Sequence, residues 1–298
     1  MNLGYACINT ALSANKIMTN RTMRRKTFDA KGIDYVSDLA LLNVKDLKTI
    51  VQWNNEMGIK LFRLSSQIFA WSDEYKLSDL KDYDEICSMM LEIGKIATDA
   101  NQRLTMHPGP YNCLASPNQK VVEKTIRELN CHSEQFNMLG FKPSNYNKIN
   151  IHVGGAYGDK KGTLERFCKN FELLNDDTKK RLVIENDDSP NEYSVKDLFD
   201  GVYQTIGIPI TFDYFHHKFN TGGLTEEEAL KMAAITWPEG IAQCCHYSES
   251  RRKEKLDESI RPQAHSDLIY EKIQTYGLEP DIVIEAKLKE QAIFKRVI

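Results

Sequence analysis

Short strand-like apolar runs alternate with helix-periodic stretches about eight times along this 298-residue chain, a cadence that leaves few folds open. The strand-like runs are residues 3–7, 60–64, 103–106, 148–153, 181–185, 209–213, 241–247 and 281–285. Parallel strands joined by helical crossovers connect right-handedly, and eight of them close most simply into a barrel. The length would also serve two average domains, but no repeat, low-complexity stretch or interdomain linker divides the chain. The expected fold is therefore an α/β chain forming a single (β/α)8 TIM barrel over residues 1–298. Helix signals fit this frame. Ser116-Pro117 is read as a cap ahead of Val121, Val122, Ile126 and Leu129, Ser194 precedes Val195, Leu198, Val202 and Ile206, and Thr225 with Glu228 makes a capping box. Gly58, Gly140, Gly207 and Gly277 read as stops. The longest stretch without a clear period, roughly 8–42, is read as a loop after the first strand.

What ends these runs is unusual. Leu104-Thr105-Met106-His107, Ile149-Asn150-Ile151-His152, Leu182-Val183-Ile184-Glu185, Ile210-Thr211-Phe212-Asp213 and Ile282-Val283-Ile284-Glu285 each stop on a histidine or carboxylate, and a sixth run stops on His246. Buried strands normally stop on turn residues, and in an α/β barrel all C-terminal strand ends share one face. Six of the seven histidines, His107, His152, His216, His217, His246 and His265, lie at or just after such an end, whereas His132 is read as a helix-surface residue. Asp213 and His216, three apart where a strand turns into a loop, would face neighbouring ions, and Glu185 could bridge two ions about 3.5 to 4 Å apart. Three carboxylates and this many imidazoles exceed the needs of one ion, which indicates a multinuclear site.

Charge and cysteine content narrow the setting. A formal net charge of −3 excludes a wholly basic nucleic-acid coat protein, though not a local basic patch. Three basic clusters follow strands 1, 4 and 7: Arg21, Arg24, Arg25 and Lys26; Lys160 and Lys161; and Arg251, Arg252 and Lys253. All three would open on the ligand-bearing face as a phosphate track, with Tyr5 and Tyr111 available to stack on displaced bases. Seven scattered cysteines with no CxxC pair indicate a reducing, intracellular compartment, cytoplasm or nucleus. No signal peptide or membrane-spanning run is read, and no obligate protein partner, so a monomer is expected.

These features come together in a series of short stretches: Leu3-Gly4-Tyr5 with Asn9, Asn20-Arg21-Thr22, Trp53-Asn54 through Gly58-Ile59, Phe62-Arg63-Leu64-Ser65-Ser66, His107-Pro108-Gly109, Asn150-Ile151-His152, Glu185-Asn186-Asp187-Asp188, Asp213 with His216-His217, His246-Tyr247-Ser248, His265-Ser266-Asp267 and Glu285-Ala286-Lys287. In this order, over nearly the whole length, the chain resembles the ultraviolet damage endonuclease family. The resemblance implies a barrel related in architecture to endonuclease IV that binds two or three divalent ions, manganese before zinc or magnesium. It also implies damaged double-stranded DNA as substrate, nicked immediately 5′ of ultraviolet photoproducts and in some members at abasic sites. By position, it implies His107, His152 and Glu185 around one ion and Glu185 bridging to a second held by Asp213, His246 and Glu285. The third would take His216 and His265, with or without Asp267. Arg63 and Lys287 would add charge at the phosphate, Glu185 and Lys287 would be catalytic, and Tyr5, Asn9, Pro110 and Tyr111 would meet DNA together with Arg251, Arg252 and Lys253. The family usually has a glutamine and then an aromatic residue after His-Pro-Gly, and a lysine two residues before the seventh-strand histidine. This chain has Pro110-Tyr111 and Cys244 instead. Two rival readings share the barrel: a metal-dependent sugar isomerase or epimerase, and a catalytically silent binder of damaged DNA.

Overall fold

The computed structural model describes residues 1–295. Its eight strands are β1 Leu3–Ala6, β2 Leu61–Leu64, β3 Arg103–Met106, β4 Ile149–Ile151, β5 Leu182–Glu185, β6 Ile210–Thr211, β7 Cys244–Tyr247 and β8 Asp281–Ile284. Each falls inside or within a residue of an expected run. The helices are α1 Thr10–Ser13, α2 Arg25–Glu56, α3 Tyr83–Asp99, α4 Gln119–Met138, α5 Lys160–Phe171, α6 Asp176–Arg181, α7 Val195–Leu198, α8 Gln204–Ile206, α9 Tyr214–His217, α10 Glu226–Ala234, α11 Arg251–Lys255 and α12 Glu290–Phe294.

All strand pairs are parallel, in the order β6-β5-β4-β3-β2-β1-β8-β7, with Leu3 of β1 opposite Ile282 of β8. The sheet curls until its ends meet. There a single parallel bridge joins Asp213 to His246, and the His246 N–H donates to the Phe212 carbonyl at 2.9 Å. The barrel seam thus closes on two of the expected ligands. The strands are apolar runs because both faces are covered, and β3, β5, β7 and β8 are buried at every position. At the opposite end, Arg103 donates to the Ala242 carbonyl at 2.8 Å and pairs with Asp281 at 3.1 Å, tying β3 to the β7–β8 edge.

Three local expectations change. Residues 8–42 are largely helical: α2 begins at Arg25, and Gly32, at φ 67°, kinks it. A helical glycine costs about 1 kcal/mol, whereas burying each of Val36, Val44, Leu47, Ile50 and Val51 contributes about 1.5–3 kcal/mol, so packing prevails over local propensity. The helix after β3 is capped by Asn118, whose side chain accepts from the Lys120 N–H; the Ser116 hydroxyl accepts from Asn118 instead. Gly277 adopts φ 83° in a turn that ends no helix. The Ser194 and Thr225 caps are as expected, each closing a capping box. No helix among the described residues is long and apolar enough to cross a membrane.

Candidate metal centre

Glu185, at the end of β5, lies at the middle of the C-terminal barrel mouth and is almost wholly buried. Four imidazoles converge on its carboxylate. His107 Nε2 lies 3.3 Å and His152 Nε2 3.7 Å from Oε2, while His246 Nδ1 lies 3.1 Å and His216 Nδ1 3.5 Å from Oε1. The donor atoms form two triads that share Glu185: His107, His152 and Glu185, and Glu185, Asp213 and His216, each within 4.8 Å. His216 therefore groups with Asp213, where the resemblance implied His265. His265 is held apart by its Nδ1, 3.0 Å from the Glu285 carbonyl and 3.8 Å from the Glu285 carboxylate. Glu285 is ion-paired to Arg63 and lies 3.4 Å from His246 Nδ1. Asp267 pairs with Arg251 at 3.0 Å and Lys255 at 2.7 Å.

Surrounding groups set the orientations. His152 Nδ1 is 2.7 Å from Asp187, which fixes that ring with Nε2 toward Glu185. Asn186 clamps the β6 end, its amide donating to the Asp213 carbonyl at 3.1 Å and accepting from the Asp213 N–H at 2.8 Å. Asp213 Oδ1 caps the turn α9 by accepting from Phe215 and His216, which leaves Oδ2 buried without a hydrogen-bond partner. An unpartnered buried carboxylate oxygen beside imidazole nitrogens is a donor set suited to a divalent cation, and the fit rests on that atom.

The charge balance follows from burial and neighbours. Burial opposes ionisation of Glu185, but His246 and His152 hold its carboxyl well below the usual range. Burial would neutralise His152 and His216, yet Glu185 and Asp187 push the first up to about 10, and Asp213 and Glu185 push the second to about 9. Burial depresses His246 to about 3 and lowers His107, so both rings are neutral. Burial also raises the Asp213 carboxyl to about 7.

One neighbour of this centre has no sequence signal. Lys148, at the base of β4, is fully buried and donates to Thr211 Oγ1 at 2.8 Å and Asn150 Oδ1 at 3.1 Å, with His246 Nε2 at 3.2 Å. Asn150 in turn donates to Glu185. A lone lysine opening a strand reads as solvated; only the closed barrel turns it inward.

The expected DNA contacts divide. Tyr111 is 89% exposed at the tip of the loop after β3, next to an exposed Pro110. Tyr5 is fully buried against Phe62, its hydroxyl donating to Asn54 at 2.7 Å and accepting from Asn9 at 2.9 Å, and Asn9 caps α1 from a buried position. Buried groups cannot stack on or bond a nucleotide, so Tyr5 and Asn9 are corrected to supports under the site. His132, expected on a helix surface, is also fully buried, with Nδ1 3.1 Å from Gln135. Among the basic groups, Arg21 pairs with Asp46, Arg25 with Asp29 and Glu74, Lys160 with Asp197, and Arg252 with Glu258. Lys253 has no ion pair among the described residues, and Lys287 is exposed on the loop after β8. The metal groove, about 330 Å³, is lined by His107, Pro110, His152, Asp187, His216 and His265, among others.

Comparisons with known proteins bear on the family and the fold. The model of the family described as UV-endonuclease UvdE matches residues 1–297. The UV-damage endonuclease of Schizosaccharomyces pombe is 38% identical over 98% of this chain, and the chain spans 49% of that relative. A putative UV-damage endonuclease of Acanthamoeba polyphaga mimivirus is 34% identical, covering 98% of this chain and 89% of its own length. The crystal structure of SacUVDE superposes with a TM-score of 0.84 at 30% identity, over 98% of this chain and 95% of that one. A D-psicose 3-epimerase from Clostridium cellulolyticum H10 superposes at 0.55 with 13% identity, a likeness of fold alone. The chain belongs to the UV-endonuclease UvdE family.

Proposed function

We propose that this protein is a metal-dependent DNA repair endonuclease that hydrolyses the phosphodiester 5′ of ultraviolet photoproducts and also acts at abasic sites. The observation that carries the reading is the sharing of Glu185 between two ligand triads at the barrel mouth, in a chain of the UV-endonuclease family. His107 and His152 would hold one ion with Glu185, and Asp213 and His216 a second, manganese being the expected metal. The ions, when bound, would activate water and offset charge on the scissile phosphate and the departing 3′ oxygen.

The protein's own residues supply the rest. Asp187 aims His152, Asn186 aims Asp213, and Lys148 with Asn150 braces the layer beneath Glu185. Arg63 spends its charge on Glu285 and keeps that carboxylate ionised, which favours a role in site electrostatics over direct phosphate contact. Tyr111 offers an exposed aromatic face, the group that replaces stacking lost when damaged nucleotides leave a duplex. Lys253 and Lys287, like Arg24, Lys26 and the groove-lining Arg261, are exposed and form no ion pair among the described residues. The sugar-epimerase reading is supported by barrel likeness alone, and a silent binder would have no need of two triads sharing Glu185.

End-labelled duplexes bearing one pyrimidine dimer, one abasic site or no lesion, incubated with manganese or with chelator, test the proposal. Incision 5′ of the dimer leaving a 3′ hydroxyl, absent with chelator, is the expected result. Manganese-independent cutting, or none, contradicts it.

A further inference from the structure

The segment between β3 and α4 starts with the ligand His107 and projects Tyr111. Only Pro110 and Tyr111 are exposed between residues 107 and 116. After the tip, three helix side chains hold the backbone: the Cys113 N–H donates to Thr125 Oγ1 at 3.0 Å, Asn170 donates to the Leu114 carbonyl at 2.7 Å, and Arg166 Nε to the Ala115 carbonyl at 2.6 Å. Before the tip, β3 holds it.

Between these anchors lies Asn112. Its N–H donates to the Gly109 carbonyl at 3.1 Å, closing a turn around Pro110 and Tyr111. Its side-chain Nδ2 donates to the same carbonyl at 3.1 Å and to Glu128 Oε1 at 2.8 Å. Glu128 lies on α4 one turn beyond Thr125, with the buried His132 Nε2 3.7 Å behind the same oxygen. A carboxylate acceptor makes the Asn112 bond stronger than a neutral pair. The turn also forms a partition: Gly109 and Asn112 line the metal groove on one side and, on the other, a cavity of about 290 Å³ whose walls include Gln67, Trp71, Tyr111 and Glu128.

We propose that Asn112 and Glu128 form a latch that presets the Pro110–Tyr111 tip as a rigid wedge beside the metal groove. Both are positioning residues for duplex opening, and the inference rests on the nuclease reading above. A tip free to swing would have to be ordered at the moment of insertion, at a cost to binding; the latch completes that ordering during folding.

The test compares Glu128→Ala, Glu128→Gln and Asn112→Asp. Glutamine keeps an acceptor oxygen for Asn112, whereas aspartate at 112 removes the donor and sets two carboxylates together. Substrates are a dimer in paired duplex and the same dimer opposite unpaired nucleotides. Glu128→Ala and Asn112→Asp should lower kcat/KM on paired duplex roughly tenfold. On the opened substrate they should change it less than about twofold, with manganese affinity unchanged and amide exchange accelerated at residues 109–113. Glu128→Gln, which keeps a weaker neutral acceptor, should lose less than Glu128→Ala in every measure. Equal losses on both substrates, or unchanged exchange in Glu128→Ala and Asn112→Asp, would overturn the latch. If the parent fails to nick with manganese, the nuclease reading falls, and exchange still decides the latch.

Discussion

Loading this centre with manganese should release about two protons per protein at pH 8. In the metal-free barrel, against burial, Glu185 at 3.7 Å and Asp187 at 2.7 Å push His152 up to about 10, and Asp213 at 3.9 Å and Glu185 at 3.5 Å push His216 to about 9. Both rings are then imidazolium at pH 8, and an imidazolium has no lone pair to give an ion. His107 and His246 are already neutral and release nothing. Asp213, near 7, is mostly ionised at pH 8 and half so at pH 7, where the release should rise to about two and a half protons. Calorimetric titration in buffers of different ionisation enthalpy reads the number directly. Apparent affinity should climb roughly a hundredfold per pH unit between 7 and 8.5, as two displaced protons require. A release near zero with a flat affinity profile would refute the assigned charges and the liganding roles of His152 and His216 together. Stability carries the same sign: folded-state values raised above the ordinary ~6.5 stabilise the metal-free fold below that pH, and the contribution is lost as pH rises through 9 to 10. The metal-free Tm should therefore fall between pH 7 and 10, more steeply than that of the loaded protein.

Other perturbations follow from the same geometry. Glu185→Ala should abolish nicking, beyond the roughly 100-fold lost when residues behind a ligand are changed, while circular dichroism keeps the barrel signature; full activity would reject the shared-carboxylate site. Tyr111→Ala should impair cleavage of a dimer more than of an abasic site, which needs less unstacking, whereas Pro110→Gln should leave metal affinity intact and sharpen preference for photoproducts; equal losses on all substrates for Tyr111→Ala would mean that the loop does not read damage. Neutralising Arg251, Arg252 and Lys253 together should reduce the log-log salt slope of DNA binding by roughly one for each phosphate no longer neutralised, with Lys253 contributing most because the two arginines already have acidic partners; an unchanged slope would place DNA elsewhere.

The strand ends are legible in the sequence because a ligand-type residue after an apolar run has few other uses, and all eight runs match strands. The first part of α2, residues 25–42, is not legible: Gly32 breaks its start and buried Ser37 interrupts its apolar stripe, so the period shows only once α3 packs beside it, whereas the end of the same helix is marked by Gly58. His132 reads as exposed because a lone histidine in a polar stretch gives no sign that its side of α4 is buried. Lys148 and Arg103 look solvated in sequence and turn inward only because a closed barrel gives each of them acceptors. Tyr5 reads as a DNA contact from its place near a strand end, but its side chain points to α2, where Asn54 accepts its hydroxyl. The Asn112–Glu128 contact spans 16 residues of unrelated pattern and exists only because α4 packs beside the loop that follows β3.

If the two triads sharing Glu185 assemble a metal-dependent nuclease for ultraviolet lesions, supercoiled plasmid is the simplest substrate on which to see it. Irradiated and unirradiated plasmid would be incubated with protein and manganese, and nick positions and end groups mapped. Nicks should arise in irradiated plasmid only, immediately 5′ of dipyrimidine sites with 3′ hydroxyl ends, suppressed by chelator and by Glu185→Ala. Equal nicking of both plasmids, or an irradiated plasmid left intact at saturating manganese, would contradict that assignment.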